Sequence, residues 1–104
     1  MVDKVFIGTE MKYAVNITAA GFSIADDDFE IDVARGSTKL HFDKADLPFD
    51  DKGQYYLCFD TAELGTGDVS VVITAHVPDS DFADGIRDEV VSFILLNVER
   101  TPKK

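Results

Sequence analysis

Several short segments of the chain alternate apolar and polar residues with a period of two. The regular apolar series are Tyr13, Val15, Ile17 and Ala19; Phe29, Ile31 and Val33; Leu40 and Phe42; Tyr55, Leu57 and Phe59; and Val69, Val71, Ile73, Ala75 and Val77. Successive side chains of a strand point to opposite faces, so each series predicts a strand with one buried face. No window of a dozen residues carries the apolar stripe of a helix.

Turn signals separate these segments. Arg35-Gly36-Ser37 predicts a tight hairpin, because Gly adopts positive φ without steric cost. Pro78 should end the strand with the longest regular alternation, Val69 to Val77, since it has no backbone N–H to donate. Residues 61–64 predict one helical turn, capped by Asp60 or Thr61 and stopped by Gly65.

A short opening strand near Val2 to Ile7 and a last strand near Glu89 to Val98 bring the number of strands to about seven. The predicted fold is all-β: an immunoglobulin-like antiparallel β-sandwich of about seven strands, forming a single domain over residues 1–104. A small barrel is the alternative closure of so many short strands. The strand count and the unequal lengths of the loops favour the sandwich.

Composition narrows the classes of partner. With 45% hydrophobic residues the chain can build a core, while its net charge of -10 disfavours nucleic acid and anionic membrane surfaces as partners. Cys58 is the single cysteine, so no intrachain disulfide can form. We find no signal peptide or transmembrane segment in the sequence and expect a soluble chain, intracellular or part of an assembly made inside a cell. A leader removed before this start would leave the same sequence.

The acidic loop PDSDFADG is the best candidate for a metal site. Asp79, Asp81 and Asp84 could offer carboxylate oxygens to calcium, but their spacing does not match a helix-loop-helix calcium loop. We therefore expect a solvated loop with Phe82 tucked beneath it. The run Asp26-Asp27-Asp28 has the same ordinary interpretation. A calcium- or carbohydrate-binding module remains the alternative function.

Nucleophilic catalysis by Cys58 would need His41 or His76 within hydrogen-bond reach. Both histidines lie inside predicted strands, on the face opposite the main apolar set. Cys58 lies in the middle of a strand, where a thiol commonly acts as a small buried apolar group. The sequence therefore predicts no enzyme, no catalytic residue, no cofactor and no metal ligand.

The last strand departs from simple alternation. One register carries Val90, Ile94, Leu96 and Val98, and the other carries Val91, Phe93 and Leu95. Apolar side chains on both faces predict that something covers the outer face. A loop or the N-terminal segment could do so, for example with Phe6 or Phe22. The alternative is an interface with a protein partner, including self-association through Val91, Phe93 and Leu95.

The second half of the chain shows a recognisable order of features. The segment GQYYLCFD at 53–60 is followed by LGTG at 64–67, a Val-rich strand and a closing strand. This order resembles immunoglobulin-like modules of phage structural proteins, in particular the N-terminal domain of upper baseplate and tail-fibre proteins. The antibody-type Cys and Trp signature is absent. The resemblance implies a structural phage or prophage component, in the virion or the cytoplasm, and no catalytic residues.

Overall fold

The computed structural model describes residues 3–101, and regular structure in this range is almost entirely β. The seven strands are Asp3–Phe6 (β1), Glu10–Ala14 (β2), Phe29–Arg35 (β3), Thr38–Asp43 (β4), Tyr56–Asp60 (β5), Gly67–Pro78 (β6) and Ile86–Glu99 (β7). Single 3₁₀ turns at Lys44–Asp46 and Thr61–Glu63 are the helical elements of the described range. The all-β prediction is confirmed; Val2, placed in the first predicted strand, lies outside the described residues.

The strands form two sheets. Five of them lie side by side in the order β1-β7-β6-β3-β4, and β2 pairs with β5 in a second sheet. In residues 3–101 every pair of neighbouring strands is antiparallel except β1 and β7, which run parallel, so the expectation of antiparallel pairing throughout was wrong there. Nearly the whole chain connects β1 to β7, so no tight turn forces these two strands to run in opposite directions.

The predicted turns are present. β3 and β4 are joined by Gly36 and Ser37, with Gly36 at a φ of 57°. The Asp60 side chain accepts a hydrogen bond from the backbone N–H of Ala62 and so caps the 3₁₀ turn at Thr61–Glu63. These local signals fix where the strands begin and end, and therefore which side chains face each other.

The core is shared by both sheets. On β3 the side chains of Phe29, Ile31 and Val33 are at most 1% exposed, as the alternation predicted. Buried side chains from both sheets and the connecting segments form one cluster: Val15, Phe29, Ile31, Val33, Leu47, Leu57, Phe59, Leu64, Val69, Val71, Leu96 and Val98. The five-stranded sheet is thus covered on one face, and its other face is directed to solvent.

The predicted strand from Lys12 to Ala20 is shorter than expected, because β2 ends at Ala14. Val15 still donates its N–H to the carbonyl of Tyr55 at 2.9 Å. At Tyr55 the neighbouring segment turns to pair with Phe49, so it offers no partner to residues 16–20. Alternating burial nevertheless continues to Ala20, and this segment forms one wall of a cleft described below.

A bulge interrupts the pairing of β6 with β7. Val69 pairs with Leu96 and Ser70 pairs with Ile94, so Leu95 is an extra residue on β7. Paired residues share a face, and the bulge therefore brings Leu96 and Val98 to the core side together with Val91 and Phe93. The expectation that Leu96 and Val98 share a face with Val90 and Ile94 was wrong for this reason.

Candidate functional site

Strand β7 has a long free edge. Among the described residues, its outer edge is paired with β1 only at residues 96–99, which face Asp3–Phe6. From Ile86 to Leu95 this edge has no partner strand among the described residues. Such an edge presents unpaired backbone N–H and C=O groups and can accept a strand from another chain. We call residues 86–95 the free edge.

Both faces of the free edge carry exposed apolar side chains. Val90 is 62% exposed and Ile94 52% on the outer face, while Val91 is 56% and Phe93 42% exposed on the face that continues into the core. Natural proteins usually protect an exposed strand edge with charges, proline or a covering element. Here the middle of the edge is apolar, which is typical of a surface that another molecule covers.

Neither of the two aromatic residues proposed as a cover reaches this surface. Phe6 lies in β1, within the plane of the sheet, and is 50% exposed. Phe22 packs edge-on against Phe29, with 6.3 Å between the ring centroids. Within residues 3–101 the apolar middle of the free edge therefore remains open to solvent.

A cleft of about 550 Å³ runs beside the inner face of the free edge. Residues 13–19 form one wall, and Ile73, Val91 and Phe93 contribute to the other. The Tyr13 hydroxyl and Oε2 of Glu89 are buried without a hydrogen-bond partner in the described part of the chain. Burial, assisted by the nearby charge of Asp3, raises the pKa of Tyr13. The cleft extends the apolar surface of β7 toward the core.

The loop between β6 and β7 does not gather its three predicted carboxylates. Asp79 accepts hydrogen bonds from Nε of Arg87 at 3.1 Å and from the backbone of Asp81 at 3.0 Å. Asp84 accepts one from the first residue of β7. Phe82 is 48% exposed, so the prediction that it lies tucked under the loop was wrong. The side chains of Asp79 and Asp84 therefore shape a hairpin loop.

Residues 23–27 are an acidic turn closed in the same local way. Asp27 accepts a hydrogen bond from the backbone of Ser23 at 2.8 Å, and the backbone N–H groups of Asp26 and Asp27 donate to the carbonyl of Ser23. This agrees with the expectation of a turn at the Asp26-Asp27-Asp28 run.

His41 lies on the solvent-facing side of the five-stranded sheet, as predicted, between two carboxylates. Its Nδ1 is 2.6 Å from Asp32 and its Nε2 is 3.0 Å from Asp43. The hydrogen bonds to Asp32 and then Asp43 raise the pKa of His41. Two acceptors around one ring are the contacts that a doubly protonated imidazolium makes.

His76 repeats this arrangement on the same face. Its Nδ1 is 2.7 Å from Asp88 and its Nε2 is 3.5 Å from Glu30, and the bond to Asp88 is the main cause that raises the pKa of His76. We call the two rings with their four carboxylates the histidine clusters. In residues 3–101, the ligating atoms of Glu30, His41 and Asp43 lie within 4.8 Å of one another.

Cys58 is exposed on β5, so the prediction of a buried thiol was wrong. Leu57 and Phe59 take the inward positions of this short strand, and alternation turns Cys58 outward. The two histidines lie on β4 and β6 of the other sheet. The structure therefore does not bring the thiol and an imidazole together on one strand pair.

Comparisons with protein-family models, with curated proteins and with solved structures found no match to this chain. The described residues contain no helix with the length and apolar character needed to cross a membrane. The free edge of β7 is the most distinctive feature of the described residues.

Proposed function

We propose that this chain is a non-enzymatic structural protein that assembles with other protein chains through β7. A strand added to the free edge would pair the open backbone groups and cover the apolar side chains on both faces. The observation that carries the proposal is the combination of an edge unpaired in the described residues from Ile86 to Leu95 with exposed Val90, Val91, Phe93 and Ile94.

The apolar surface that can be buried at the free edge is small, which predicts weak association. Each of the four side chains is roughly half exposed, so covering it contributes roughly 1 kcal/mol, about half of the value for complete burial. If two copies meet through this surface, the eight side chains contribute roughly 8 kcal/mol. Association costs about 4–15 kcal/mol, which is of the same size as this contribution, so any net gain, with the backbone pairing included, is small. We expect assembly at high micromolar concentrations of the isolated chain.

The order of features in residues 53–98 supports a more specific proposal. The aromatic segment, the Gly-x-Gly turn and the two closing strands resemble immunoglobulin-like modules of phage structural proteins. On this resemblance, the module is an immunoglobulin-like β-sandwich and a component of a phage or prophage baseplate or tail. In such an assembly, an apolar strand edge would join the subunit to its neighbours.

Sedimentation velocity over a range of concentrations tests the assembly function. The wild-type chain should sediment as a species heavier than the 11.5 kDa monomer as concentration rises, and Ile94→Lys should abolish this. Phe82→Lys is the matched control, because Phe82 is similarly exposed but lies outside the free edge. A strict monomer at all concentrations, or an assembly that both variants weaken equally, would overturn the proposal.

A further inference from the structure

We infer that the strand added to the free edge is β7 of a second copy, paired antiparallel about a two-fold axis through Val90. This inference rests on the proposed function and adds the partner, the register and the symmetry. On the outer face of β7, the side chains of Ile86, Val90 and Ile94 are 43%, 62% and 52% exposed. They are spaced four residues apart, so the pattern reads the same in both directions from Val90.

A two-fold axis through Val90 pairs these apolar residues with each other. Residues paired across antiparallel strands lie on the same face, so the axis must pass through a residue and not between two residues. Val90 then faces Val90 of the second copy, and Ile86 faces Ile94. All three exposed apolar side chains of the outer face find apolar partners, which is the kind of cross-strand pair that stabilises a sheet.

The length of the free edge fits this register. The paired region would run from Ile86 to Ile94, which lies within the free edge. An axis through Ser92 would instead place Asp88 of the second copy beside Leu96, where Asp3 of β1 already pairs. Strand β1 therefore excludes that register, although it too would bring apolar residues together.

Charge excludes further registers. An axis through Asp88 or Glu89 would set two like carboxylates directly opposite each other, which is unfavourable. An axis through Val91 would place Val90 opposite Ser92 and Ile94 opposite Asp88, so neither of these exposed apolar side chains would have an apolar partner. With the axis through Val90, Asp88 faces Ser92 and Glu89 faces Val91. Arg87 stays 2.9 Å from Glu89 of its own chain and balances that charge beside the axis.

The pairing would close the assembly as a dimer. The two five-stranded sheets would join into one continuous sheet of ten strands, and both free edges would be used. A head-to-tail arrangement would leave one edge open and allow filaments to grow. The two-fold register therefore predicts that assembly stops at two copies.

Disulfide trapping measures the register directly. In a Cys58→Ser background, Val90→Cys would place the two new thiols in directly opposite positions, about 5 Å apart at Cα, within the range of a disulfide. Ser92→Cys is the matched control on the same strand and face. In the proposed register the two Ser92 positions are offset by four residues, about 13 Å along the strands, which is too far for a disulfide.

Mild oxidation at a concentration where the parent associates should convert most of the Val90→Cys variant to a covalent dimer. At least tenfold less of the Ser92→Cys variant should be converted, and far-ultraviolet circular dichroism should show both variants folded like the parent. Trapping through Ser92→Cys, or through neither variant while the parent still associates, would overturn the register and leave the assembly function standing. A parent that remains a monomer would overturn both.

Discussion

Replacing Thr61 by Val should lower the free energy of unfolding by about 2 kcal/mol. Thr61 is fully buried, and it is the only polar residue among the buried side chains of residues 3–101. Its hydroxyl accepts a hydrogen bond from the backbone N–H of Gly8 at 3.0 Å and donates one to the carbonyl of Thr9 at 2.8 Å. These two bonds tie the loop between β1 and β2 to the turn that follows β5.

The expected loss of stability depends on which hydrogen bonds the backbone groups of Gly8 and Thr9 retain after the substitution. Valine nearly matches threonine in shape, so the change leaves almost no cavity, and the loss is one of hydrogen bonding. The carbonyl of Thr9 still accepts the backbone N–H of residue 61 at 3.1 Å, whereas the N–H of Gly8 loses the partner it has in the structure. An unsatisfied donor of this kind costs roughly 1–3 kcal/mol, less where water can reach it.

Urea denaturation followed by circular dichroism measures the effect, which should appear as a lower midpoint with an unchanged slope. Thr9→Val is the control, because the exposed hydroxyl of Thr9 bonds only to the carbonyl of Phe6 in the described structure, and its loss should cost under about 0.5 kcal/mol. Equal midpoints for Thr61→Val and the wild type would refute the claim that this buried hydroxyl holds the two loops together.

Two further predictions concern the core and the outer face. Phe29→Ala should cost about 3–5 kcal/mol in urea denaturation because Phe29 is 1% exposed, whereas Phe82→Ala should cost under about 0.5 kcal/mol; similar losses would contradict the assignment of the core. The carboxylate hydrogen bonds that raise the pKa values of His41 and His76 stabilise the protonated rings in the folded state. This stabilisation is complete below the ordinary pKa of 6.5 and is lost as pH rises through the pKa values of the folded state. The free energy of unfolding should therefore fall as pH rises above 6.5, and a slope that persists in the double variant His41→Gln, His76→Gln would show that the histidine clusters are not its cause.

Alternation alone predicted which side chains of β3 are buried, and it also predicted every buried side chain of β6, although the inward Ile73 beside the cleft is only partly buried. Each of these strands has two neighbours in the sheet and one face on the core, so a period of two decides the direction in which each side chain points. The same reasoning placed His41 and His76 on the solvent side. The same alternation predicts an outward side chain for Cys58, because its neighbours Leu57 and Phe59 point inward. The general tendency of cysteine to be buried predicts the opposite and is wrong at this position.

Features that depend on the pairing of distant segments could not be predicted from local pattern. The bulge at Leu95 arises because β7 has one residue more than β6 over the same paired length, and its position is visible only when Val69 is seen opposite Leu96. The parallel pairing of β1 with β7 joins the two ends of the described chain. Both features determine the site: the bulge sets the faces of β7, and within residues 3–101 the pairing of β1 with residues 96–99 leaves the free edge open.

The decisive measurement of self-association through the free edge is the molar mass of the wild-type chain in solution, determined by light scattering up to high micromolar concentration. We expect the mass to rise with concentration from 11.5 kDa toward twice that value and then to stop rising, because the two-fold pairing uses both free edges. A mass that stays at 11.5 kDa throughout would contradict the assembly function. A mass that continues to rise beyond two copies would contradict the closed dimer about Val90.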